Sequence, residues 1–173
     1  PIKEEAKKLM EMNKYVIDGG IWSSQIKKKI YILGSRTGSS SMYQPDPFFF
    51  DIHGIKKKDY KKYEVTKTVE IDCDSINASL KNLKIDKLDY LKIDTQGAEL
   101  EILKGIGAYN PLLIKIEAHI FSMYKEVPSW SQLLDYLHKL NYIVVDWKGI
   151  GSHCTRVPAE MDMIFIPNFR NKE

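Results

Sequence analysis

Apolar and polar positions change period several times along this chain, and each change marks an element. Residues 1–13 carry Ala6, Leu9 and Met10 as an apolar stripe, with Glu4, Glu5, Lys7 and Lys8 around it, which predicts a helix opened by Pro1. Tyr15-Val16-Ile17 reads as a strand stopped by Asp18-Gly19-Gly20, with Ile21-Trp22 after it. Residues 29–33 predict a strand with a basic lead-in, and 34–41 a loop of small residues. Residues 63–72 alternate, with Val65, Val69 and Ile71 apolar, as a half-buried strand does. Residues 75–83 space Ile76, Leu80 and Leu83 for one face of a helix. Between these, residues 45–62 hold neither period. They contain Pro45, Pro47, the triplet Phe48-Phe49-Phe50 and the run Lys56-Lys57-Lys58-Asp59-Tyr60-Lys61-Lys62. Three adjacent phenylalanines cannot share one side of a regular element, so they predict a surface loop folded over a pocket, or a subunit contact. The lysines read as a solvated loop, with a phosphate or lipid-head site as the alternative.

The second half has a steadier rhythm. Residues 90–93 form a short apolar strand that ends in Asp94. A polar turn with Gly97 follows, then a helix in which Ala98, Ile102 and Ile106 recur every four residues. Glu99 and Glu101 stand in its first turns, and Lys104-Gly105 close it as a cation and a C′ glycine. In open α/β sheets, ligands bind outside the carboxyl ends of the strands, which puts Asp94 where chemistry is done; the alternative is that it caps the helix. Residues 112–117 predict a buried strand. Ser129 with Gln132 three positions on fits a capping box before a helix carrying Leu133, Leu134, Leu137 and Leu140. Residues 142–147 and 161–166 are strands separated by a loop over 149–158. Strand, helix, strand, helix, strand from Tyr90 onward predicts an α/β fold with a parallel sheet and helical crossovers.

Composition narrows the function classes. A chain of 173 residues, 43% apolar and 28% charged, suits one globular domain with its own core. It holds no apolar run of the roughly 20 residues a membrane span needs and no signal-peptide pattern, and its two isolated cysteines point to a cytoplasmic setting. A net charge of +3 is too near balance to suggest a nucleic-acid partner. Cys73 and Cys154, isolated from each other, read as reduced thiols. His53, His119, His153 and Cys154 lack ligand spacing, so no metal is expected. No Gly-x-Ser-x-Gly elbow or Walker loop occurs.

The run Leu91-Lys92-Ile93-Asp94-Thr95-Gln96-Gly97-Ala98-Glu99-Leu100-Glu101-Ile102-Leu103-Lys104-Gly105 strongly resembles the signature of the FkbM family of S-adenosylmethionine-dependent methyltransferases. Other pieces agree in order: residues 1–12 resemble the helix after the family's second strand, 16–24 its third strand and turn, and Gly38-Ser39-Ser40-Ser41-Met42-Tyr43 its serine loop. Val69-Glu70-Ile71-Asp72-Cys73-Asp74-Ser75 resembles the strand before the core motif, and 114–119 its fifth strand. The resemblance implies a Rossmann-like class I methyltransferase fold, with residues 1–173 as the C-terminal two thirds of a single domain. It implies S-adenosylmethionine as cofactor and a hydroxyl of a sugar, glycan or secondary metabolite as methyl acceptor. Asp94, Gln96, Gly97, Gly20 and Ile21 would bind the cofactor, the last two on the adenine side. Ser39, Ser40 and Ser41 would line the acceptor side. Asp94, Glu117 and His119 would be catalytic, with the imidazole a natural general base. Gln96 stands where glutamate is commonest and cannot itself act as a base. Glu99 reads as a helix-start acid, with a catalytic role as the alternative.

One departure accompanies the match. The family's opening strand, glycine-rich turn, helix and second strand ending in an acid have no counterpart, and Pro1 is expected to fall just past that acid. A charged hydrogen bond is worth about 1.5–3 kcal/mol, against about 8 kcal/mol for a whole micromolar site. The 173 residues alone are therefore expected to bind the cofactor poorly, and unpaired strand edges to seek a complementing N-terminal segment or a second copy. The rival reading is a non-catalytic α/β binding or assembly module derived from a methyltransferase.

Overall fold

The computed structural model describes residues 11, 15–150 and 158–171. The helix expected over 1–13, and His153 and Cys154, lie outside the described residues. The strands gather into two sheets. In the first, β3 (Val65–Ser75) lies between β2 (Ile26–Leu33), antiparallel to it, and β1 (Gly20–Trp22), parallel to it. The small-residue loop after β2 folds back through a bridge between Tyr31 and Ser41. Tyr15-Val16-Ile17 is not a strand. These residues are exposed and unpaired in the sheet, because Gly19, at φ +121°, turns the backbone out of the extended region just before pairing begins. Pairing starts at Gly20, which must be glycine: a Cβ there would lie 2.6 Å from Cys73 Sγ.

The second sheet runs β4 (Tyr90–Ile93), β5 (Leu113–His119), β7 (Glu160–Pro167), β6 (Tyr142–Ile150). β4 and β5 are parallel as expected, but β7 is inserted antiparallel between β5 and β6. The sheet is therefore mixed and not wholly parallel. Residues 151–159 are too few for the dozen or more that a parallel crossover needs, so β7 returns as a hairpin.

The irregular stretch also differs from expectation. Pro47–Ile52 is a helix, α1, whose start is capped by Asp46 accepting from Phe48 N, with Pro47 in the first turn. It turns Phe50 into the interior and leaves Phe48 exposed. The lysine run winds into a 3₁₀ helix, Lys57–Tyr63, which buries Tyr63. Around Phe50 and Tyr63 a satellite core forms with Leu33, Met123 and Tyr124. The remaining helices match the periodicity: α2 (Ile76–Asn82) capped by Ser75, α3 (Glu99–Lys104), and α4 (Trp130–Lys139) with both halves of the capping box at Ser129 and Gln132. The main core joins Trp22, Cys73 and Ile76 to Ile93, Leu103, Ile114 and Phe165, and so spans both sheets. No described helix is long and apolar enough to cross a membrane.

Candidate active site

β4 delivers the chain to the turn Asp94-Thr95-Gln96-Gly97 at its carboxyl end. Gln96 (φ +59°) and Gly97 (φ +110°) are both left-handed, which reverses the backbone into α3. A non-glycine residue in that region needs an outside restraint, and Glu99 supplies it. Its buried carboxylate accepts from Thr95 N (3.1 Å), Thr95 Oγ1 (3.1 Å) and Gly97 N (3.0 Å). Glu99 therefore fixes the turn. At Gly97 the close neighbour is Val127, whose Cγ2 would lie 2.8 Å from a Cβ. The residue that opens α3 is Ala98, with no side-chain cap, so Asp94 does not cap the helix.

Gln96 is the hub of the site. Ser41 Oγ donates to its carbonyl at 2.6 Å, and its amide Nε2 donates to Glu117 Oε1 at 3.2 Å. Tyr124 OH lies 2.8 Å from Gln96 Oε1 and 2.7 Å from the Ser39 carbonyl, sharing one proton between them. Three stretches far apart in sequence, around residues 39–41, 96 and 117–124, are thereby held together.

Two cavities flank this hub. The first, of about 300 Å³, is lined by Gly20, Ile21, Ser40, Ser41, Thr95 and Ala98 among others. The second, of about 290 Å³, is lined by Arg36, Ser39, His53, Gln96 and Glu160 among others. Of the residues expected to act, Gly20, Ile21, Ser40 and Ser41 thus meet at one cavity, and Ser39 and Gln96 at the other. Asp94 lines neither: its carboxylate is exposed and 2.8 Å from Lys92 Nζ, which holds that ammonium above its usual range.

Acidic groups dominate the electrostatics. Burial, then the charges of Glu160, Asp94, Asp162 and Glu99, push the Glu117 carboxyl up to about 7. Burial also raises Glu160, partly offset by His119. His119 is enclosed, with Nδ1 3.6 Å from Glu160 Oε1 and its ring edge-on to Tyr124. Neither of its ring nitrogens finds a hydrogen-bond partner among the described residues. Among those residues no group of three His, Cys, Asp or Glu is placed to hold a metal.

Sequence reasoning did not single out Glu160, Tyr124, Arg36 or His53 for the site. Glu160 had a readable signal, since Glu160-Met161-Asp162-Met163 alternates and sets two carboxylates on one face of a strand. The others come from irregular segments where no period constrains orientation.

The family model for the methyltransferase FkbM domain matches residues 20–144. The chain belongs to the FkbM methyltransferase family. The matched span contains both glycine and serine walls of the first cavity, the whole Gln96 hub, Glu117 and His119. Glu160 lies beyond it. No curated protein and no solved structure matches the chain. Membership makes methyl transfer the chemistry this sheet edge has to explain.

Proposed function

We propose that the protein is an S-adenosylmethionine-dependent O-methyltransferase with a class I, Rossmann-like domain, acting in the cytoplasm on a hydroxyl of a sugar, glycan or secondary metabolite. The observation that carries this reading is the family match over residues 20–144, which takes in every segment converging on Gln96. The cofactor, when bound, supplies a methyl group activated on a positively charged sulfur. The cavity bounded by Gly20, Ile21, Ser41 and Thr95 fits part of such a molecule: small apolar walls for a purine face, and hydroxyls for its polar edges. Its volume is at the low end for ligand pockets. Asp94, Gln96 and Gly97 belong to the methionine side in this reading. The cavity with Ser39, Gln96 and Glu160 takes the acceptor.

The chain's own work is to orient the acceptor hydroxyl in line with the methyl group and to take its proton. Glu160 lines the acceptor cavity and is the nearest base by position. Its own burial raises its carboxyl and enclosed His119 lowers it again, while its charge in turn helps raise Glu117 to about 7.

A second reading, a non-catalytic α/β binding module, is favoured by one observation: among the described residues no carboxylate lines the first cavity to hold ribose hydroxyls. Calorimetric titration of S-adenosylmethionine and S-adenosylhomocysteine into the chain separates the two. Binding that weakens in Asp94→Ala is the outcome expected of the methyltransferase. Absence of heat from both compounds, in the chain and equally in one extended by an N-terminal glycine-turn segment, would leave the binding module standing.

A further inference from the structure

Next to the acceptor cavity lies a third one, of about 430 Å³, whose walls carry Arg36, Lys56, Lys58, Lys62 and a single acid, Asp59. It shares Arg36, His53, Ile55 and Tyr63 with the acceptor cavity, so the two are neighbours across common walls. Its charge follows from how the lysine run folds. A 3₁₀ helix eclipses residues three apart, which stacks Asp59 on Lys62, while Lys56 stands in extended backbone just before the first turn. Asp59 pairs with Lys62 at 2.7 Å, and that bond together with Lys62, Lys58 and Lys56 holds its carboxyl below the usual range. One carboxylate is thus spent on Lys62. Among the described residues neither Lys56, Lys58 nor Arg36 has a carboxylate within 4.0 Å. Arg36 is positioned by Tyr63: its guanidinium lies over the buried ring at 5.0 Å from the centroid and donates to the phenol oxygen. That use leaves the remaining guanidinium N–H donors for another partner.

We propose that this basic cavity receives a phosphate or diphosphate group carried by the methyl acceptor; this rests on the neighbouring cavity being the acceptor's. Four cations against one carboxylate leave more positive charge than a single carboxylate ligand would balance, whereas a phosphate brings about two negative charges. The cations converge on a concavity and do not form a stripe along the surface, which suits a compact anion better than a polynucleotide. The acceptor's hydroxyl is then presented at Glu160 while its anionic group is held at Arg36 and Lys58.

Backbone amide spectra of the full chain test this, with inorganic pyrophosphate and glucose 1-phosphate as soluble probes, glucose as neutral control, and phosphatidylglycerol vesicles as the lipid source of the same group. Saturable shifts at Arg36 and residues 56–63 are expected from the phosphates and none from glucose. Affinity should fall about tenfold per reversed charge in Lys56→Glu and Lys58→Glu, and these exposed residues can be changed without touching the core. Response to vesicles alone assigns the phosphate to a lipid head group; response to the soluble probes assigns it to a free ester. The proposal fails if neither source shifts these amides, if both variants respond as the native chain does, or if Lys27–Lys29 respond equally. S-adenosylmethionine titrated into the same samples is followed at Ser41 and Thr95. Silence there with phosphate shifts intact, in this chain and in one extended by an N-terminal glycine-turn segment, would remove the methyltransferase reading and leave an anion site.

Discussion

Glu117 shows how one side chain reports on the whole site. Its carboxyl is raised from 4.5 to about 7, chiefly by burial and then by the acids around it. Below the lower value both folded and unfolded chains hold the proton, and stability is unaffected. Between the two values the folded chain keeps a proton that the unfolded chain has released, so stability falls as pH rises; above about 7 the full cost is present. Discounted for partial exposure, that cost is about 1–2 kcal/mol. Glu117→Gln keeps an oxygen for the Gln96 amide and removes the charge. Its melting temperature should match the native chain's near pH 4.5 and exceed it by a few degrees at pH 8; a gap that does not widen with pH would contradict the assigned cause. Glu99, by contrast, has its carboxylate committed to Thr95 and Gly97. From the sequence it is legible only as an acid near a helix start, because the dipole argument sees charge and not three donors in a fixed turn.

Elements specified by neighbours in sequence were the legible ones. The capping box at Ser129 and Gln132 is a local agreement between two side chains and two backbone groups, and the helix it opens forms where the spacing predicts. Ser129→Ala should cost about 1 kcal/mol, read as a lower urea midpoint at unchanged slope. α1 was hidden because six residues are too few for a period to show, although Asp46-Pro47 is a helix start by its chemistry. Gly105 carries a subtler lesson. Glycine after a helix suggests a left-handed residue, yet Gly105 has an ordinary φ of −89°. What it provides is room: a Cβ would sit 2.5 Å from the Trp22 carbonyl, against backbone that cannot swing away. Gly105→Ala should therefore push α3 off β1 and cost about 1–3 kcal/mol. If helix propensity ruled instead, the same change would stabilise, so the sign of the urea shift decides.

At the scale of the molecule, alternation and spacing identified most strands but not how they join into two sheets. The antiparallel insertion of β7 follows from a connection length, and the separation of β1 from β4 follows from which edges find partners; neither is written in the period of any one strand. What unites the sheets is α3. It packs on β1 beside Gly105 and on β5 of the second sheet, and one core runs from Trp22 and Cys73 through Leu103 to Ile114 and Phe165. The first cavity, the one proposed for the cofactor, depends on that union, since Gly20 and Ile21 come from the first sheet while Thr95 and Ala98 follow β4 of the second. Unfolding should then be a single transition, with calorimetric and van't Hoff enthalpies equal. Leu103→Ala, at a fully buried position in the shared core, should remove about 2–5 kcal/mol and lower the melting temperature without splitting the transition. Two separate transitions, in the native chain or in this variant, would mean that the sheets are independent units. A ligand in the cavity between Gly20 and Thr95 would then have to draw the sheets together, instead of finding its walls already joined.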